Sequence, residues 1–226
     1  MATGILILGK SGSGKSTSLR NLDPTKTFII NVVNKPLPFK GWKNNYTKYS
    51  KDNPSGNMVS TDNTTQIMKA LSYIDKERPE IKHIIIDDSQ YTMGNEYMRR
   101  AKESGYNKFT DIGQNMFNLV NLIPNLREDL YVVFLHHVEI DKDELGNQQV
   151  QSKSIGKMFT QYITLEGLFS IVLYTNVTKD EKGMHYGFLT QSDGTNTAKS
   201  PMELFPTLII PNDLNYVIEQ VEDYNN

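Results

Sequence analysis

Hydrophobic positions along this chain gather into short solid runs separated by longer amphipathic stretches. Gly4-Ile5-Leu6-Ile7-Leu8, Thr27-Phe28-Ile29-Ile30-Asn31-Val32, Ile81 to Asp87 and Tyr131 to Leu135 are nearly continuous apolar segments of strand length. Runs without alternation suit strands buried on both faces, as in a parallel sheet. The stretches between them repeat with helical spacing. Thr17-Ser18-Leu19-Arg20-Asn21-Leu22 reads as a helix closed by Asp23-Pro24. Asp62 to Arg78 places Ile67, Ala70, Leu71 and Ile74 on one face and stops at Pro79. Gln90 to Glu103 aligns Met93, Tyr97 and Ala101. Phe109 to Arg127 aligns Ile112, Met116, Leu119, Val120 and Ile123, with Pro124 placed to bend it.

Asn34 to Ser60 reads as a long loop, and Asp141 to Ile155 as a polar segment with Gly146-Asn147 as a hairpin tip. Phe169 to Thr175 and Tyr186 to Thr190 are two later strands joined by a turn at Asp180 to Gly183, and Asn212 is placed to cap a last helix ending near Val221. Strands alternating with helices predict a three-layer α/β core, a mainly parallel sheet covered on both faces, with antiparallel edge strands near the C-terminus. One domain is expected over 1–226.

Composition narrows the class. The chain has 226 residues, 38% hydrophobic and 22% charged, with a formal net charge of −2. That charge argues against a globally basic, nucleic-acid-coating surface, so any such site must be local. Cysteine is absent, which excludes disulfides and thiolate metal sites. No apolar run approaches the ~20 residues that cross a bilayer. The first strand begins at once, so no targeting segment is expected and a cytoplasmic setting is.

The first strand runs into Gly9-Lys10-Ser11-Gly12-Ser13-Gly14-Lys15-Ser16, which matches G-x-x-x-x-G-K-[ST] between a strand and a helix. Glycines at 9, 12 and 14 suit positive φ and close approach of backbone amides to an anion. Lys15 is expected on the β- and γ-phosphates, Ser16 on Mg²⁺, and the loop through Thr17 on ATP or ADP. Lys10 sits where a lysine could cross a dimer interface, or simply lie in solvent. Ile84-Ile85-Ile86-Asp87-Asp88 ends a buried strand in two acids. Asp87 is the expected partner of the Mg²⁺ shell. Asp88 is either the base that orients the attacking water or a helix cap. His136 and His137 close the fourth strand, and His136 is the candidate γ-phosphate sensor; a pair of solvated loop histidines is the alternative. The chain has four histidines, with no spacing that suggests a metal site.

Lys35 to Lys51 holds five lysines and no acid, interleaved with Phe39, Trp42, Tyr46 and Tyr49. Lysines for phosphates beside rings for bases describe a single-strand surface, with Lys35, Lys40, Trp42 and Lys43 as candidates. A loop packing its rings on the core would carry the same residues. Arg99, Arg100, Lys102 and Lys108 form a second basic cluster after the metal strand, where a solvated helix face is the alternative. Lys153 and Lys157 form a third after the histidine strand.

Several segments together carry a resemblance. The glycine loop, Lys35-Pro36-Leu37-Pro38-Phe39, Ile86-Asp87-Asp88, Met98-Arg99-Arg100-Ala101-Lys102, Ser154-Ile155-Gly156-Lys157-Met158, Ile163-Thr164-Leu165-Glu166-Gly167 and Asp193 to Pro201 resemble phage-encoded RecA-like ATPases of the Sak group. The resemblance implies a minimal RecA core that binds ATP and single-stranded DNA. It implies annealing or strand exchange in phage recombination, in the cytoplasm of a bacterial host. A homo-oligomeric ring or filament and a single-strand binding protein are the implied partners, with no membrane. Loops around Arg99–Lys108 and Lys142–Lys157 would line the DNA, and Lys199 would reach a neighbour's nucleotide. The chain departs from the RecA pattern at the end of the second strand, where Asn31-Val32-Val33-Asn34-Lys35 carries no glutamate. A P-loop small-molecule or nucleoside kinase, and a nucleotide-gated module with little hydrolysis, are the alternative readings.

Overall fold

The computed structural model describes residues 1–142, 148–156 and 162–225. The Gly146-Asn147 tip and Lys157 therefore lie outside the described residues. Among the described residues nine strands share one sheet. In chain order they are β1 (Thr3–Gly9), β2 (Thr27–Asn31), β3 (Met58–Val59), β4 (His83–Asp87), β5 (Tyr131–Lys142), β6 (Gln148–Ser152), β7 (Ile171–Asp180), β8 (Gly183–Leu189) and β9 (Ile209–Pro211). The spatial order is β3-β2-β4-β5-β1-β7-β8-β9. The pairs from β3 through β7 are parallel; β8 and β9 add antiparallel, and β6 folds back on the outer half of β5.

The helices are α1 (Trp42–Asn45), α2 (Thr64–Glu77), α3 (Gln90–Arg99), α4 (Asn107–Leu122) and α5 (Leu214–Asn225). Helix α2 starts where the Asn63 side chain accepts the Gln66 N–H at 3.0 Å, and it buries Ile67, Leu71 and Ile74. Helix α4 passes into a short 3-10 turn, Ile123–Asn125, where Pro124 removes a donor.

Parallel strands with apolar residues on both faces need a layer on each side, and the buried side chains divide by parity. Leu6, Leu8, Val132, Phe134, Ile84 and Ile86 join Ile67, Leu71, Met93 and Met116 beneath α2, α3 and α4. Ile5, Ile7, Val133, Leu135 and Ile85 join Leu19, Leu214, Val217 and Val221 on the other face. This is a three-layer α/β core, mainly parallel with antiparallel strands towards the C-terminus.

Three elements differ from the sequence expectation. The loop after β2 contains the turn α1 and the strand β3, too short for periodicity to reveal. Strand β5 continues past Leu135 to Lys142, and its outer half, from Val138 on, pairs antiparallel with β6. Asn212 does not cap α5. Asp213 does, with Oδ1 accepting the Asn215 N–H at 3.0 Å.

Two buried imidazoles tie the fold to pH. Burial pushes both His83 and His136 down to about 4 from an ordinary 6.5. Their folded pKa values are depressed, so between about 6.5 and 4 the unfolded chain binds protons that the folded one refuses. Stability is therefore expected to fall with decreasing pH across that window, by on the order of 3 kcal/mol per histidine. Urea melts at pH 7 and pH 4.5 check this, and His83→Gln should flatten part of the slope.

Candidate nucleotide site

Parallel pairing brings the chemistry-bearing residues to one edge. Gly9 pairs with His137 across β1 and β5, and Asn31 pairs with Asp87 across β2 and β4. All of them sit at the carboxyl ends of parallel strands, where α/β sheets open a crevice. The crevice here is a cleft of about 630 Å³, bounded by the glycine loop, Lys35, Asp88, His137, Tyr186 and Asn212. That volume suits a nucleotide-sized ligand.

The loop is held from beneath. Gly9 is needed for close approach and not for an unusual φ: a Cβ there would lie 2.0 Å from Thr175 Oγ1 and 2.6 Å from Ser13 Oγ. Gly14 does adopt positive φ, at 94°. Thr175 Oγ1 donates to Ser13 Oγ at 2.9 Å, and Ser13 Oγ donates to the Lys10 carbonyl at 2.7 Å. The helix expected after the loop is a six-residue 3-10 segment, Ser16–Asn21, so the helix dipole adds little and the amides and Lys15 dominate. The Lys15 ammonium is 5% exposed and folds into its own loop, donating to the Gly9 carbonyl at 2.7 Å and the Lys10 carbonyl at 2.9 Å. Burial pushes it down to about 8, against the pull of Asp88 and Asp87. A phosphate would return what burial removes.

Ser16 and Asp87 meet directly. Ser16 Oγ donates to Asp87 Oδ1 at 2.7 Å, while Asp87 Oδ2 is buried without a hydrogen-bond partner. Burial raises the Asp87 carboxyl, and the neighbouring Asp88 raises it further. A hydroxyl and an orphaned carboxylate oxygen are hard oxygen donors of the kind Mg²⁺ takes, with substrate phosphates completing the shell. Among the described residues no group of three or more His, Asp or Glu could by itself hold a metal ion.

Asp88 leaves β4 through a left-handed turn, φ 60°, and is 1% exposed. Its carboxylate takes an ion pair from the Lys35 ammonium and a contact from His137 Nε2 at 3.1 Å. Burial alone would raise it, but the bonds from His137 and Lys35 hold it below the usual carboxylate range. Lys35 is placed by Asn31, whose side chain donates to the Lys35 carbonyl at 2.7 Å and accepts its N–H at 3.2 Å. The end of β2 thus carries an amide that holds the lysine paired with Asp88.

Family comparison decides the class. The family described as an AAA domain matches residues 1–202. The chain belongs to the AAA domain family. AAA domains bind ATP or ADP with Mg²⁺, in keeping with the loop and Ser16–Asp87. No curated protein matches the chain in sequence. A KaiC-like protein from the hyperthermophilic archaeon Pyrococcus horikoshii has a similar solved structure, 12% identical, with a TM-score of 0.48 over 92% of this chain and 88% of that one.

Within this AAA domain the histidine and basic candidates fall differently from the sequence expectation. His136 has no exposure and faces away from the cleft, with Nδ1 at 2.9 Å from Ser89 Oγ and Nε2 at 2.7 Å from the Lys153 carbonyl. His137 lines the cleft instead, because neighbouring strand residues face opposite sides. Both faces of β5 are apolar, so parity was invisible in the sequence.

Lys108 is buried and donates to the Glu103 carbonyl at 2.8 Å, closing the end of α3, with its ammonium 5.4 Å from the Tyr97 ring. Arg100 bridges Glu96, Glu103 and Asp111, and Arg99 pairs with Asp62. Tyr46 is buried, while Trp42, Phe39 and Tyr49 are half-buried with one side packed on the core. Lys10, Lys40, Lys43, Lys102 and Lys153 are exposed. The Lys199 backbone is stitched to Val172 of β7, and the residue is not among those lining the cleft.

Lys108→Met is expected to lower unfolding free energy by about 1–3 kcal/mol, since three carbonyls lose their donor. Lys102→Ala should stay within about 0.5 kcal/mol. Denaturant melts of the two variants check the assignment.

Proposed function

We propose that this chain is a slow, self-restrained ATPase whose bound nucleotide governs its work on single-stranded DNA. The observation that carries the reading is the 2.7 Å bond between Ser16 and Asp87, which brings the phosphate loop and the metal-shell acid to one point from 71 residues apart. Lys15 contacts the β- and γ-phosphates, and the loop from Gly9 to Thr17 wraps them. Ser16 and Asp87 hold Mg²⁺, which when bound neutralises phosphate charge. Asp88 is the base that accepts a proton from the attacking water. Its pairing with Lys35 and His137 competes with that role, and hydrolysis is correspondingly slow.

The DNA part of the proposal rests on the resemblance and on the exposed lysines. Lys10, Lys40, Lys43, Lys102 and Lys153 offer charge to a phosphate backbone. With the loop aromatics buried or half-buried, binding is mainly electrostatic and so strongly salt-dependent. An oligomer working in phage recombination, by annealing or strand exchange in the host cytoplasm with a single-strand binding protein nearby, is the setting this reading implies; Lys199 would act across its subunit interface. The Lys35–Asp88 pair also favours a second reading, a nucleotide-gated module that hydrolyses little. A kinase would need free arginines to close over the phosphates, and Arg99 and Arg100 are engaged by acids.

Calorimetry with Mg²⁺ and ATP, followed by single-turnover hydrolysis with and without single-stranded DNA, tests the proposal. Lys15→Ala should weaken ATP binding by at least about tenfold in a chain that remains folded. Asp88→Asn should abolish turnover. Lys35→Ala should raise turnover about fivefold, the rate equivalent of ~1 kcal/mol for a half-exposed ion pair. Absence of ATP binding by the wild type would overturn the reading. Unchanged nucleotide after long incubation in every variant would leave the gated module.

A further inference from the structure

The wall of the cleft opposite Asp87 and Asp88 has no part in phosphate or metal chemistry. It is built from β8 and the turn into α5. Tyr186 stands on it, 46% exposed, and lines the cleft. Beside it lies Asn212, only 5% exposed, with its Nδ2 buried and without a hydrogen-bond partner. Both press on the last glycine of the loop: a Cβ on Gly14 would meet Asn212 Nδ2 at 3.1 Å and Tyr186 Cδ1 at 3.2 Å. The Asn212 carbonyl accepts from Arg20 NH1 at 2.7 Å, which fixes the residue against the segment after the loop. Its side chain is not used to start α5, since Asp213 does that.

A buried amide donor left unpaired is rare and calls for a partner. Asn212 is among the residues lining the cleft, so a ligand there is the nearest candidate partner. Lys15, Ser16 and Asp87 fix the phosphates at one end, so this wall is left for the nucleoside. An exposed phenol ring offers a stacking face of the kind bases use. We propose that Tyr186 and Asn212 form the nucleobase subsite: a purine stacks on Tyr186, and Asn212 Nδ2 donates to a purine ring nitrogen. Adenine and guanine present such acceptors and a larger face than pyrimidines, so the subsite selects purine from pyrimidine nucleotides. The inference rests on the phosphate-loop reading above and adds the base to it.

Calorimetry with ATP, GTP, CTP and inorganic tripolyphosphate, all with Mg²⁺, tests it. The wild type should bind ATP and GTP about tenfold or more tightly than CTP or tripolyphosphate. Tyr186→Leu should bring ATP and GTP down to the tripolyphosphate level, and Tyr186→Phe, which keeps the ring, should retain the preference. Asn212→Leu should weaken ATP and GTP about fivefold. Tripolyphosphate binding should be unchanged in each variant, which also reports an intact loop; if Asn212→Leu does not fold, the Tyr186 pair decides. Equal affinity of the wild type for all four ligands, or a preference that survives Tyr186→Leu, would overturn the subsite while sparing the phosphate loop. Failure of both ATP and tripolyphosphate to bind the wild type would remove the phosphate-loop reading and this inference with it.

Discussion

Two adjacent carboxylates, Asp87 and Asp88, are buried at the end of a central strand, and the surrounding structure is arranged to compensate them. Burying one charge is costly and burying two side by side more so, unless cations and donors meet them. Ser16 donates to the first; Lys35 and His137 engage the second; Lys15 lies close enough to feel both. Each partner arrives from a different element: Ser16 from the loop after β1, Lys35 from the loop after β2, His137 from β5. The sheet must be parallel and in this register for the ends to converge. Apolar burial drives the sheet together, and charge compensation at its edge sets which loops lie there.

The same constraint shapes function. A site that has internally neutralised its acids is quiet without ligand. Lys15 is drawn into its own loop and Lys35 onto Asp88, so nucleotide and metal must displace existing contacts. Asn31, at the end of β2, holds the Lys35 backbone, and Lys35 pairs with Asp88. The proposed slow, switch-like chemistry rests on that pair.

Much of this was legible in the chain. Solid apolar runs such as Ile84-Ile85-Ile86 announced buried parallel strands, and Gly9 to Ser16 announced the phosphate loop through fixed spacing. What was not legible came from contacts distant in sequence. Lys108 and Arg100 looked like part of a basic patch, yet one closes a helix and the other is surrounded by acids. Tyr46 looked like part of a stacking surface, yet hydrophobic burial drew it inward. A lysine or a ring has the same letter in either role, and only its neighbours differ.

Sequence by itself determined the order of elements, the phosphate loop and the acid pair, because periodicity and short motifs are local properties of a chain. Tertiary structure alone decided that His137 and not His136 faces the cleft, that Lys35 belongs to Asp88, and that Asn212 turns its amide to the loop instead of to α5. The physical reason is common to all three. Which way a side chain points at the end of a doubly buried strand, or in a turn beside it, is fixed by what packs on either face. That information resides in residues far along the chain, brought together only when the sheet closes.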